Sequence, residues 1–121
     1  MVVIQDVRDF LNNLSVGRVQ DNVIQKQIEI ATVKIDAKKV SGLSETTRNA
    51  AILTYASYLT YLAYVTEYER SAGTVPGFMV GHLAVLERLA SEFLDYTQQG
   101  NPAPVAAVAQ PSSLEEELYG S

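Results

Sequence analysis

Apolar residues Ile4, Val7, Phe10, Leu11 and Leu14 recur at steps of three and four, the spacing that lines side chains along one side of a helix. It predicts a short amphipathic first helix that ends before Gly17, with Gln5, Asp6, Arg8, Asp9 and Asn12 on the solvated side. A second stretch carries Ile24, Ile28, Ala31 and Ile35 as one stripe, while Gln25, Lys26, Glu29, Lys34 and Asp36 fall largely off it. Asp21 is placed to cap that helix, since a short carboxylate side chain can accept from the free N–H groups of a first turn. Within the stretch, IEIATVKI alternates as a strand would and is rich in β-branched residues. The residues on either side extend the helical period over about five turns, so helix is the better reading.

SGLSE interrupts the pattern, with Gly42 ending one helix and Ser44 capping the next. From Glu45 to Arg70 there is neither glycine nor proline, which predicts the longest helix, about 25 residues and about 37 Å at 1.5 Å per residue. SAGTVPG then breaks the chain as an exposed loop. A fourth helix follows, with Met79, Leu83, Leu86, Leu89, Ala90, Phe93 and Leu94 on its core side and a stop near Gly100. The expected fold is all-α, a compact bundle of about four helices over residues 1–99, followed by an extended tail over 100–121.

The tail begins GNPAPVAAVAQPSS, with three of the chain's four prolines and mostly small residues, the composition of a tether. It ends SLEEELYGS, in which Ser112 or Ser113 with Glu115 or Glu116 makes a capping-box pattern and Leu114 with Leu118 makes a one-turn apolar spot. A motif at the end of a tether reads as a docking element, with Leu114, Glu115, Leu118 and Tyr119 as its contact residues. The plain alternative is a frayed end with no partner.

YASYLTYLAYVTEY, in the long helix, holds five of the seven tyrosines. With residues stepped by about 100°, Tyr55, Ile52, Leu59 and Leu62 share one face and are assigned to the core. Tyr58 lies at the margin of that face. Tyr61, Tyr64 and Tyr68 fall almost opposite, together with Ala50 and Leu53. A helix with two apolar faces is either central, covered on both sides by its own chain, or it shares one side with a neighbouring subunit. Tyrosine is enriched where association buries a surface and its hydroxyl reaches a polar rim, which favours an interface at Tyr61, Tyr64 and Tyr68.

Composition narrows the function classes. The 121 residues suit one domain, and 47% hydrophobic content is ordinary for a single core. Nine basic residues are scattered against fourteen acidic ones, giving a net charge of −5 and no basic stripe to track a phosphate backbone. The chain has no cysteine, hence no disulfide, thiolate metal site or cysteine nucleophile. MVVIQDVRDF is unlike a signal peptide, and the most apolar window, from Ala50 to Val65, is too broken by hydroxyl side chains to span a membrane. A soluble protein, intracellular when made, is expected.

No catalytic constellation emerges. His82, the sole histidine, has no second histidine, cysteine or close carboxylate to orient it, and reads as a capping or surface residue rather than a base or ligand. The carboxylates Glu67/Glu69 and Glu115–Glu117 lie on a helix end and a tether, where nothing pushes two pKa values apart. SAGTVPGFMVG lacks the lysine and hydroxyl spacing of a phosphate loop. No serine has a base at recognisable spacing. A non-enzymatic chain without cofactor or metal, made to hold other proteins, is the expectation.

The order IQDVRDFLNNL, NVIQKQIEIATVKIDAKK, SETTRNAAILTYASYLTYLAYVTEY and GHLAVLERLASEFLDY resembles the head-to-tail connector, or adaptor, proteins of long-tailed phages. The likeness covers roughly residues 1–99 and lies in length, order and composition rather than in an invariant motif. It implies a ring, typically of twelve subunits, lying under the portal in the virion and extending the channel through which the genome passes. It also implies a C-terminal segment that grips the portal, the role that would fall to Leu114, Glu115, Leu118 and Tyr119; the long tail leaves a tail-side protein open as the partner instead. A net negative wall would let DNA slide without sticking. The reading from another class is a small helical regulatory module, dimeric and antitoxin-like or a signalling adaptor, that binds a partner helix in a groove.

Overall fold

A computed structural model describes residues 1–12, 14 and 19–100 of the chain. Among these residues it consists of four helices, α1 (Ile4–Phe10), α2 (Asp21–Lys38), α3 (Glu45–Ala72) and α4 (Gly77–Gln99). The all-α expectation holds. The tether and the docking residues Leu114, Glu115, Leu118 and Tyr119 lie outside the described residues.

The helix ends follow local chemistry. Ser44 caps α3, its Oγ accepting from the Thr47 N–H at 3.2 Å. Gly73 and Gly100 close α3 and α4 in the left-handed region, at φ 82° and 78°, where a side chain would be strained. Two expected boundaries differ. Asp21 is the first residue of α2 rather than its cap, the cap being Gln20, because its carboxylate is taken by Arg8 at 2.6 Å. Gly42 does not end α2, which stops at Lys38; it makes the turn that follows, at φ 77°.

α3 is the central element, packed on α4 and α2, which barely touch each other. The expected stripe Ile24, Ile28, Ala31 and Ile35 is buried along α2, and α1 adds Val7, with Leu11 and Leu14 beyond its end. On α4, Met79, Leu86, Ala90 and Phe93 are buried as expected, while Leu83, Leu89 and Leu94 are half-buried at the sides of the stripe.

Three polar ties fix the packing. Arg48 Nε and Nη2 fork onto both oxygens of Asp36 at 2.8 Å each, joining the end of α2 to the start of α3. That pairing, with Lys39 at 3.3 Å, holds the Asp36 carboxyl down at about 2. Arg8 joins α1 to the start of α2 by donating to the Val19 carbonyl at 2.8 Å as well as to Asp21. The Val40 N–H donates to the Thr97 carbonyl at 2.9 Å, tying the α2–α3 turn to the end of α4.

Candidate functional site

The buried residues of α3 reverse part of the expected face assignment. Thr47, Ala50, Ala51, Thr54, Ser57, Tyr61 and Val65 form one seam at helical spacing, and Ile52, Ala56 and Thr60 are buried on the side about 150° away. The first seam holds small residues around one large ring, which lets α4 approach closely and makes Tyr61 the piece that fills the gap. Tyr61 is 1% exposed, with its Oη 3.3 Å from His82 Nδ1 and its ring centroid 6.1 Å from that of His82. It belongs to the core of its own chain. The assignment of Tyr61 to a subunit interface is therefore corrected, and the central-helix alternative accounts for it.

Tyr55, Leu59 and Leu62, expected in the core, are only half-buried. Tyr55 and Tyr58 meet edge to face, centroids 6.1 Å apart, and Lys34 Nζ stands 6.0 Å above the Tyr55 ring. That side of α3 is an outer face on which rings shelter one another. The hydroxyl of Tyr58 is held above its ordinary range, first by burial and then by the charge of Glu87.

Tyr64 and Tyr68 are placed differently. Both are half-buried, their rings continuing from Tyr61 at centroid spacings of 5.8 and 6.5 Å. They line an open groove of about 620 Å³ between the start of α2 and the last turns of α3, with Val19, Gln20, Val23, Ala63, Glu67 and Ser71 as its other walls. The Arg8 bond to the Val19 carbonyl fixes the α2 side of this groove. Its lining joins the apolar side chains of Val19, Val23 and Ala63 and two amphipathic tyrosine rings to the polar groups of Gln20, Glu67 and Ser71.

Apolar side chains also protrude elsewhere. Ile30 and Val33 on α2 are 44% and 70% exposed, and Phe78 and Val80 on α4 are 63% and 54% exposed. The strand-like alternation of IEIATVKI has its account here: Ile28, Ala31 and Ile35 face inward while Ile30 and Val33 face out, giving α2 a second apolar side.

His82 is likewise corrected. It is neither cap nor surface residue but a core side chain in the second turn of α4, between the rings of Tyr61 and Phe78. The signal was present in the spacing, since His82 and Thr97 continue the Met79, Leu86, Ala90, Phe93 stripe. Burial holds the imidazole below its ordinary value of 6.5. The folded chain thus keeps the ring neutral where the unfolded chain already takes up a proton, so its contribution is complete above pH 6.5 and declines below it. The urea midpoint is expected to fall between pH 7 and pH 5, and His82→Gln to remove most of that slope. Asp36 contributes a separate loss, confined to the range from its ordinary 3.8 down to about 2.

Among the described residues, no cluster of three or more His, Cys, Asp or Glu is placed to hold a metal ion. No helix there is long and apolar enough to cross a membrane. No family model, curated protein or solved structure matches the chain.

Proposed function

We propose that the chain is a structural virion protein, a ring-forming adaptor between the portal and the tail of a long-tailed phage that extends the DNA channel. One observation carries this reading: an open apolar groove at Tyr64 and Tyr68 coexists with protruding apolar side chains on other surfaces, Ile30 and Val33 on α2 and Phe78 on α4. A hollow patch and a raised one are not copies of each other. They suit a head-to-tail contact, and such a contact, repeated with the right rotation, closes into a ring.

The helical order supports the same reading through its resemblance to phage connectors. In the ring, of twelve subunits as that resemblance implies, Tyr64 and Tyr68 meet the next copy. Leu114, Glu115, Leu118 and Tyr119 grip the portal from the end of the tether, and the opposite rim meets a tail-side protein. The genome passes without specific contact, as the net charge of −5 favours. The protein is made in the host cytoplasm and ends at the head–tail interface.

The groove also suits a second reading, a dimeric regulatory module that receives a partner helix there. Oligomer size separates the two. Native mass spectrometry and electron microscopy of the purified chain at rising concentration are expected to show rings of about a dozen subunits; a species that stops at the dimer would replace the adaptor by the regulatory module.

A further inference from the structure

The chain's own C-terminal motif matches the groove in chemistry and in reach. α4 ends at Gly100 beside the α2–α3 turn, whereas the groove lies at the far end of α3. At 1.5 Å per residue, Tyr64 stands about 28 Å and Ser71 about 39 Å along the axis from Glu45. The segment from Asn101 to Ser113 separates Gly100 from Leu114. A Pro/Ala-rich tether of that length spans about 40 Å when extended at 3.1 Å per residue, whereas a glycine-like coil of equal length averages about 20 Å and falls short. The tether therefore has the length and the stiffening prolines needed to bring Leu114 to the groove.

The i, i+4 spacing of Leu114 and Leu118 would put both on one side of a helical turn, the shape that a cleft with Val19, Val23 and Ala63 in its walls accepts. The hydroxyls of Tyr64 and Tyr68 offer hydrogen-bonding partners for a short helix at the rim. In such a turn Glu115 and Glu117 would flank the leucines and Glu116 would point away; Arg70, 75% exposed on the last turns of α3 and 3.4 Å from Glu67, is the nearby cation.

We propose that the motif Leu114–Tyr119 docks in the Tyr64/Tyr68 groove of its own molecule as a reversible latch. Tethering gives the motif an effective concentration in the millimolar range, so even weak docking is populated. A docked motif covers Tyr64 and Tyr68, and a partner that draws the motif away uncovers them. The latch is a property of one molecule and stands whether or not the chain builds a ring.

The absence of cysteine from the 121 residues allows a direct test in this chain. Ser71→Cys, at the groove, or Ser91→Cys, exposed on α4 and nearer to Gly100, is combined with Gly120→Cys, and disulfide closure is followed at micromolar concentration on non-reducing gels. A latch predicts that the Ser71 pair closes within the monomer at least tenfold faster than the Ser91 pair, and that Leu114→Ser with Leu118→Ser abolishes the difference. An undirected tail would favour the nearer Ser91 position. Equal rates, a faster Ser91 pair, insensitivity to the leucine replacements, or a Ser71 disulfide formed only between molecules would each overturn the latch.

Discussion

Tyr61→Ala is expected to lower the unfolding free energy by about 3–5 kcal/mol, the range for removing a large aromatic side chain from a packed core. The ring is 1% exposed and fills the seam between α3 and α4, where the buried α3 residues around it are Ser57, Thr54 and Val65, all too short to collapse into the space. Tyr64, its ring centroid 5.8 Å away, is a large neighbour on α3, and a shift of that ring would bring the cost to the lower end of the range. A domain of this size is stable by about 5–15 kcal/mol, so the loss takes about a fifth of the total or more. Tyr61→Phe keeps the ring and removes the contact with His82 Nδ1, and is expected to cost about 1 kcal/mol. Urea titration followed by circular dichroism reads both. A Tyr61→Ala chain as stable as the parent would return Tyr61 to the surface.

Tyr64→Ser combined with Tyr68→Ser is expected to leave the helical spectrum nearly intact and to weaken ring assembly by a hundredfold or more. The contrast with Tyr61 comes from position alone, since Tyr64 and Tyr68 are half-buried at the groove and already reach solvent. Buried tyrosines near the centre of an interface cost about 2 kcal/mol or more each when truncated, and each 1.4 kcal/mol is a factor of ten in affinity. Analytical ultracentrifugation at matched concentrations checks this. Rings that persist in the double variant would place the subunit contact elsewhere, with Ile30, Val33 and Phe78 the next residues to replace.

What the sequence made legible was governed by neighbours a few residues away. Ser44 as a cap, Gly100 as a helix end and the Ile24–Ile35 stripe all rest on local geometry, and the structure bears them out, while α3 runs two residues past the expected Arg70 to close on Gly73. At the start of α2 a distant residue intervenes, Arg8 taking the Asp21 carboxylate that was expected to cap, and at its other end the backbone turns extended at Lys39, before Gly42 is reached. The faces of α3 were misassigned for a related reason. Hydropathy gives weight to Leu59 and Leu62 and little to Ala50, Thr54 and Ser57, yet close packing of two helices is governed by small residues. His82 follows the core stripe in register; the lack of a second histidine, cysteine or carboxylate to orient it speaks against catalysis but not against burial, and an imidazole with a hydroxyl in reach is readily buried. Of the three tyrosines grouped on one side, the wheel gave their direction correctly relative to one another but not what stood there. α4 covers Tyr61, while the groove at the start of α2 leaves Tyr64 and Tyr68 accessible.

The placement of α3 between its two neighbours in the chain bears on how the fold is reached. Its extensive contacts are with the helix before it and the helix after it, and the first and last long helices hardly meet. Each major seam can close as a simple hairpin, without waiting for a distant part of the chain, and folds dominated by such local pairings form in about microseconds to milliseconds. During synthesis α2 can settle on α3 as soon as the Asp36–Arg48 fork is made, leaving the Tyr61 seam open until α4 emerges. In that interval the ring that will become the centre of the body is uncovered. The step at which a nascent chain is most exposed to mispairing is thus the arrival of α4, not the folding of the helices before it.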